Sequence, residues 1–252
     1  LITMSEGDTD VDLHDYGCYA SRTIYVAGRA IELAALELCR KLEEVAAILL
    51  KTNAKRIELA DGGAFVREHP ERQVTYGDCA MYALRYMEQS LTVVYDHASN
   101  ANPGVPAVHF AEVVVDTLTG LVLVEKYVAV HDIGKAINPA MCRAQVEGAV
   151  QNGLGMALME EVKVNLKTGE LVTTGLKKYN WINAFEMPEV EVAFVEMGEA
   201  GGPFGAKSIG ESALAPVMPA IVNAVNHALQ TDICELPLSP ERILATLRRE
   251  RP

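Results

Sequence analysis

Two long β-rich runs between residues 107 and 132 constrain the fold more than any other part of the chain. They lie on either side of the turn at Thr119-Gly120 in AVHFAEVVVDTLTGLVLVEKYVAVHD, a pattern typical of an antiparallel hairpin. Shorter hairpins are predicted around Asp61-Gly62-Gly63 and around Thr168-Gly169. Because hairpins interspersed with helices replace a regular βαβ alternation, we expect an α+β fold with mixed or antiparallel sheets and packed helices.

Helices are predicted between these hairpins. Apolar residues that recur at intervals of three and four predict a helix of about 30 residues from about Ser21. Thr75 is a candidate N-cap for a second helix, and Asn138-Pro139 and Ser239-Pro240 mark two further starts. The helix that follows Asn138-Pro139 is rich in small residues and apolar on more than one face, so we expect it to be deeply buried. A further apolar helix is expected from about Glu211 to Leu229, after the strand EVEVAFVEM.

The stretch ANPGVP, residues 101–106, is the best candidate for a boundary because proline and glycine interrupt both helices and strands. We therefore expect two lobes, a helix-rich α+β lobe over residues 1–100 and a hairpin-rich α+β lobe over residues 101–252. Residues 1–4 read as a strand and the chain starts with Leu, so we expect a segment of a longer polypeptide.

Charge and cysteine content exclude several classes of function. The net charge is −12 and no Lys/Arg block is present, which argues against binding to double-stranded nucleic acid. The five cysteines are scattered and form no C-x-x-C pair, so zinc or iron–sulfur ligation within this chain and a disulfide framework are not expected. With no signal peptide and no apolar run of membrane-spanning length, we expect a cytoplasmic protein that binds no membrane.

The loop GGPFGAKS at residues 201–208 is one residue short of a P-loop. Ala206 replaces the second glycine, and Pro203 removes a backbone donor from any phosphate cradle. A nucleotide-binding domain is therefore the weakest alternative. The more informative residue is Glu211, at the junction of this loop with an apolar helix. An interior carboxylate at a helix start suits a general base, although a glutamate that only stabilises the helix is an equally simple interpretation.

Two further groups are candidates for ligand binding. Ser21, Arg22 and Thr23 precede the first long helix, where free N–H groups favour an anion such as phosphate, although Ser21 could simply cap the helix. Gln145 and Gln151 lie on the small-residue helix, where a buried amide must bond either to the backbone or to a polar ligand. His131-Asp132 ends a β-run and is interpreted as a packed or solvated pair.

Five stretches in register resemble the molybdenum hydroxylases, the xanthine dehydrogenase and aldehyde oxidase family. They are GDTD, GCYASRTIYVAG, VHDIGKAINP, QVEGAVQNGLGMALMEE and GPFGAKSIGE. The resemblance covers nearly the whole chain and places it in the C-terminal part of the large molybdopterin-binding subunit, with bacterial members closest. It implies the fold of a molybdenum-cofactor-binding domain.

The resemblance also implies roles for individual residues. Glu211 matches the catalytic glutamate, which acts as the base in hydroxylation of an electrophilic carbon. The segment Cys18, Tyr19, Ala20, Ser21, Arg22 and Thr23 matches the loop around the phosphate and pterin end of the cofactor, and Gln145 matches a glutamine that contacts the pterin. No protein side chain ligates the metal in this family. Cys18 and Tyr19 depart from the small or hydroxyl-bearing residues usual there.

The implied cofactor is molybdopterin cytosine dinucleotide carrying molybdenum, shared with an N-terminal half of the subunit. Iron–sulfur and FAD domains or subunits would be the partners that carry electrons away, and the complete enzyme would be an oligomer. The substrate class would be an N-heterocycle, of xanthine or nicotinate type, or an aldehyde. We expect the 252-residue chain alone to bind little cofactor and to show no turnover. A non-catalytic interaction subunit of the same fold remains the main alternative.

Overall fold

The computed structural model describes residues 7–10, 17–101 and 103–250, so the strand predicted at residues 1–4 lies outside the described ranges. The described helices are α1 (Thr23–Leu49), α2 (Tyr76–Tyr86), α3 (Pro139–Leu158), α4 (Val217–Leu229) and α5 (Pro240–Glu250). The strands are β1 (Ile57–Ala60), β2 (Gly63–Val66), β3 (His69–Thr75), β4 (Ala107–Val115), β5 (Val122–Asp132) and β6 (Glu189–Val195). Short 3₁₀ turns occupy Ala54–Arg56, Pro203–Gly205 and Glu211–Ala213. Within these ranges, none of the helices combines the length and apolarity that crossing a membrane requires.

The chain divides into two compact units. The first contains Val26–Asn100, and the second contains Tyr19–Tyr25 together with the described chain from Ala101 onward. Among the residues that the structure describes, each unit has one three-stranded sheet, in the order β1-β2-β3 in the first and β4-β5-β6 in the second. The predicted α+β class with antiparallel and mixed sheets is therefore confirmed.

In the first unit, α1 and α2 pack on an antiparallel sheet. The hairpin predicted around Asp61-Gly62-Gly63 pairs Ala60 with Gly63. A third strand, β3, was not predicted, because HPERQVT is polar, contains proline and is almost entirely exposed. The prediction of Thr75 as an N-cap is confirmed: its hydroxyl accepts from the Asp78 N–H, and Asp78 bonds back to the Thr75 N–H.

In the second unit, the long hairpin predicted around Thr119-Gly120 is confirmed, since β4 and β5 are antiparallel from Ala107↔His131 to Val115↔Val122. The strand β6 pairs with β5 in parallel, with Asp132 opposite Val195. A parallel neighbour needs a crossover connection, and α3 lies in that connection. The carboxyl ends of β5 and β6 are therefore adjacent, and the loops that follow them meet at the same end of the sheet.

The second unit differs from the sequence prediction in two helices and one hairpin. Only the second half of α3 is consistently buried, through residues such as Val150 and Leu154, so the expectation of burial was wrong for its first turns. The helix expected from Glu211 begins at Val217, after the separate 3₁₀ turn Glu211–Ala213. The hairpin expected at Thr168-Gly169 is reduced to a single bridge between Val164 and Leu171.

Candidate functional site

The loop after β6 lies against the end of β5. Its Lys207 N–H donates to the Ile133 carbonyl at 2.8 Å, and the Gly198 N–H donates to the Gly134 carbonyl at 3.3 Å. Gly134 has a φ of 69°, and a Cβ at this position would lie 2.1 Å from the Gly205 carbonyl oxygen. Only glycine permits so close a backbone approach together with this φ, so the sequence of both loops fixes their packing.

The resemblance of this loop to a P-loop does not extend to its geometry. Lys207 Nζ lies 2.7 Å from Asp132 Oδ2, and the two side chains are only 10% and 12% exposed. This hydrogen bond, with further bonds from the Gly134 and Met197 N–H groups, lowers the pKa of Asp132. The next α-helix starts at Val217 rather than at Ser208. The lysine that a phosphate would need is therefore held by a carboxylate.

Ser21 and Glu211 are joined by two hydrogen bonds. The Ser21 hydroxyl oxygen accepts from the Glu211 N–H at 2.8 Å and donates to Glu211 Oε2 at 3.3 Å. Ser21 follows Ala20 in a tight turn in which both residues have positive φ, 50° for Ala20 and 51° for Ser21. Non-glycine residues adopt this conformation at a cost, and such outliers cluster at functional sites. Two motifs 190 positions apart in sequence therefore meet at one carboxylate.

Gln145 borders the same space. A Cβ built on Gly210 would lie 2.4 Å from the Ser21 hydroxyl oxygen and 3.6 Å from Gln145 Oε1. The glycine before Glu211 thus leaves a small cradle with a hydroxyl on one side and an amide on the other. Three predicted site residues, Ser21, Gln145 and Glu211, are brought together.

The remaining predicted residues are placed less decisively. Arg22 donates to the Ala101 carbonyl at 3.2 Å, and Thr23 is the exposed first residue of α1. Tyr19 is 57% exposed. Cys18 is also exposed. The side-chain amide of Gln151 instead donates to the Ile182 carbonyl.

The site is open, which corrects the expectation that Glu211 is interior: Glu211 and Gln145 are both exposed. Two hydroxyl oxygens close to Glu211 in the sequence, Ser208 Oγ and Ser212 Oγ, are buried without a hydrogen-bond partner among the described residues. In the same ranges, His, Cys, Asp and Glu side chains form no group of three that could hold a metal ion.

Sequence reasoning missed a row of polar side chains in the second unit, in which Tyr127 and His131 are buried and His109 is partly buried. His109 Nδ1 is 2.8 Å from the Tyr127 hydroxyl, and His109 Nε2 is 2.8 Å from His131 Nε2. Burial, with a smaller contribution from nearby His131, lowers the pKa of His109 to about 4, and burial also lowers the pKa of His131. Alternation along β4 and β5 places both histidines on the core face, which was the available signal.

Comparison with known families gives one match that covers most of the chain. Residues 1–188 match the family model described as a molybdopterin cofactor-binding domain. The match includes the Ser21 turn and Gln145 and ends before Glu211.

Two curated relatives align along almost the whole chain. The xanthine dehydrogenase molybdenum-binding subunit of Escherichia coli O157:H7 is 35% identical over 243 residues, which are 95% of this chain and 32% of the relative. The nicotine 6-hydroxylase large subunit of Paenarthrobacter nicotinovorans is 31% identical over 259 residues, 96% of this chain and 31% of the relative. The chain therefore spans about a third of the length of these relatives.

Solved structures show the same fold. Quinoline 2-oxidoreductase from Pseudomonas putida 86 superposes with a TM-score of 0.80 at 29% identity, covering 96% of this chain and 32% of that one. Carbon monoxide dehydrogenase from Oligotropha carboxidovorans gives a TM-score of 0.86 at 24% identity, over 97% of this chain and 31% of that one.

Proposed function

The chain belongs to the molybdopterin cofactor-binding domain family, represented in the large subunits of molybdenum hydroxylases, and from this premise we propose that it is the C-terminal portion of a catalytic subunit of that type. The proposed reaction is hydroxylation of an N-heterocycle or an aldehyde with oxygen from water. Electrons would leave through iron–sulfur clusters and FAD on partner domains or subunits. The rest of the large subunit is the other proposed partner.

The contact between Ser21 and Glu211 carries this proposal. It brings the turn that resembles a cofactor loop to the glutamate that resembles a catalytic base. Gln145 Oε1 lies at the edge of the same cradle. A positioned carboxylate, a hydroxyl, an amide and a nearby helix start are the groups expected where an anionic cofactor and a proton acceptor work together.

Each residue then has a defined task. Cys18, Tyr19, Ala20, Ser21, Arg22 and Thr23 would bind the phosphate and pterin end of molybdopterin cytosine dinucleotide, with Gln145 on the pterin. When bound, the molybdenum group would supply the two-electron oxidation. Glu211 would accept a proton on Oε1, because Oε2 already receives the Ser21 hydroxyl hydrogen bond. The Glu211 backbone N–H bond to Ser21 keeps that carboxylate in one orientation.

The decisive experiment is Glu211→Gln in the complete enzyme. The amide keeps the shape but cannot accept the proton, so we expect kcat to fall about 10²-fold or more with cofactor content unchanged. Cofactor content is measured as CMP released by acid and as molybdenum per subunit. Glu170→Gln is the matched control, since this exposed carboxylate lies in a separate turn and bonds only within that turn. An unchanged kcat in Glu211→Gln would leave Glu211 with a structural role only and would favour a non-catalytic role for this part of the subunit.

A further inference from the structure

We propose that the Asp132–Lys207 ion pair is a positioning element for Glu211. It holds the loop that leads into Glu211 against the carboxyl end of β5. The inference rests on the proposed function only for the consequence on catalysis; the anchoring itself is a property of this chain. The hydrogen bonds of the pair go to other residues than Glu211, so the pair acts through the loop.

The pair ties together three segments. Asp132 Oδ2 accepts from Lys207 Nζ at 2.7 Å, and Asp132 Oδ1 accepts from the N–H of Gly134 at 3.0 Å and from that of Met197 at 3.5 Å. The end of β5, the first residues after β6 and the loop before Glu211 therefore converge on one carboxylate. Both charged side chains are nearly buried, so water screens the pair little.

The loop between Lys207 and Glu211 is short and is anchored at both ends. Lys207 is fixed twice, by its side chain to Asp132 and by its backbone N–H to the Ile133 carbonyl. Glu211 is fixed by its own N–H to Ser21. Only residues 208–210 separate the two anchors, and each extended residue spans at most about 3.6 Å. A displacement of Lys207 is therefore transmitted to the orientation of Glu211.

Burial distinguishes this pair from the other ion pair on the same strand. Lys126 and Glu191 join β5 to β6 at the same 2.7 Å, but their side chains are 51% and 55% exposed. Exposed pairs are held loosely and contribute little, whereas a buried pair that loses one partner leaves an uncompensated charge. A buried pair replaced on both sides regains stability without regaining its geometry. If the pair positions the loop, replacing both residues should restore stability but not activity. If the pair only stabilises the fold, the same replacement should restore both.

The test uses three variants of the complete enzyme: Asp132→Asn, Lys207→Met and the double variant. In each single variant we expect kcat to fall about 10- to 100-fold while KM changes less than about twofold, because a misplaced base impairs chemistry rather than binding. Amide hydrogen exchange of residues 198–210 should be faster in both. The double variant has no unpaired buried charge, so we expect its Tm to return toward the wild-type value while kcat stays low and exchange stays fast.

Glu191→Gln is the control and should leave kcat and the exchange of residues 198–210 unchanged. The proposal is overturned if kcat recovers together with Tm in the double variant, since the pair would then act only on stability. It is also overturned if the single variants keep wild-type exchange and kcat. If Glu211→Gln itself has no effect, the proposed function fails, and the exchange measurement still decides whether the pair anchors the loop.

Discussion

At the scale of residues, the hydrogen-bonded row of buried Tyr127, partly buried His109 and buried His131 links protonation to stability. Each ring nitrogen in the two close contacts must act either as donor or as acceptor, and a neutral His109 can bond to both neighbours. A protonated His109 would be a cation inside a largely apolar sheet face. Burial also raises the pKa of Tyr127, so the row remains uncharged around neutral pH.

We predict that the second unit loses stability as the pH falls from 6.5 to about 4. The folded pKa of His109 is about 4, below its ordinary value of 6.5. Between these values the unfolded chain binds more protons, so the stability present above pH 6.5 is lost as the pH falls through this window. Each pKa unit corresponds to about 1.4 kcal/mol, which gives about 3 kcal/mol for His109.

Urea unfolding followed by Trp181 emission at pH 7.0, 5.5 and 4.5 measures this effect, since Trp181 lies in the second unit and is the sole tryptophan. His109→Gln is the matched variant, because its amide can bond both neighbours but does not titrate. We expect a shallower pH dependence, with the remainder supplied by His131. Identical pH profiles for the variant and the wild type would refute the assignment.

At the scale of elements, glycine decides how closely α3 and α4 pack. A Cβ on Gly153 would lie 2.4 Å from Val217 Cβ and 2.5 Å from Val217 Cγ1. Gly148, one and a half turns earlier on the same helix, has open space at the corresponding point. The same substitution should therefore have opposite effects at the two positions.

We predict that Gly153→Ala destabilises the protein by about 1–3 kcal/mol, because the added methyl overpacks the contact with α4. Gly148→Ala should stabilise it by about 0.5–1 kcal/mol, because alanine loses less backbone entropy in a helix. Denaturant midpoints with unchanged m-values compare the two variants. A stabilising Gly153→Ala would mean that α3 and α4 do not pack as described.

Local signals predicted the helix starts that carry a side-chain cap. Thr75 accepts from the Asp78 N–H and Asn138 from the Met141 N–H, as their positions before apolar periodic segments indicated. The Ser239 hydroxyl likewise accepts from the Arg242 N–H at the start of α5. These caps involve neighbours three residues away, so the sequence contains both partners. The strand β3 was missed because its polar sequence has no strand pattern. Its extended conformation is instead stabilised by antiparallel pairing with β2.

At the scale of the whole molecule, each unit has its own apolar core. The core of the first unit includes Val45, Ala46 and Val66. The core of the second is larger and is built from α3, α4, α5 and the sheet, with Leu154 and Ile221 fully buried. The second unit, which contains Glu211, therefore depends on α3 for both its core and its Gln145.

We predict that Leu154→Ala lowers the free energy of unfolding of the second unit by about 2–5 kcal/mol, because it leaves a cavity in this core. Leu166→Ala is the control, since Leu166 is 97% exposed, and its effect should stay within about 0.5 kcal/mol. Trp181 emission during urea unfolding measures both. Equal midpoints would show that Leu154 does not lie in the core.

The sequence by itself determined features that depend on neighbours in the chain: the hairpins at Asp61-Gly62-Gly63 and Thr119-Gly120, the capped starts of α2, α3 and α5, and the family, whose motifs are short and contiguous. It also identified Glu211, Ser21 and Gln145 separately. Only the tertiary structure decided that these three meet, that Glu211 is exposed, and that Lys207 is held by Asp132 rather than free for a phosphate. For the contact between Lys207 and Asp132, the physical reason is that β6 pairs in parallel beside β5, which brings the segments after these strands to the same end of the sheet. That pairing is set by long-range hydrogen bonds and burial, which no local pattern encodes.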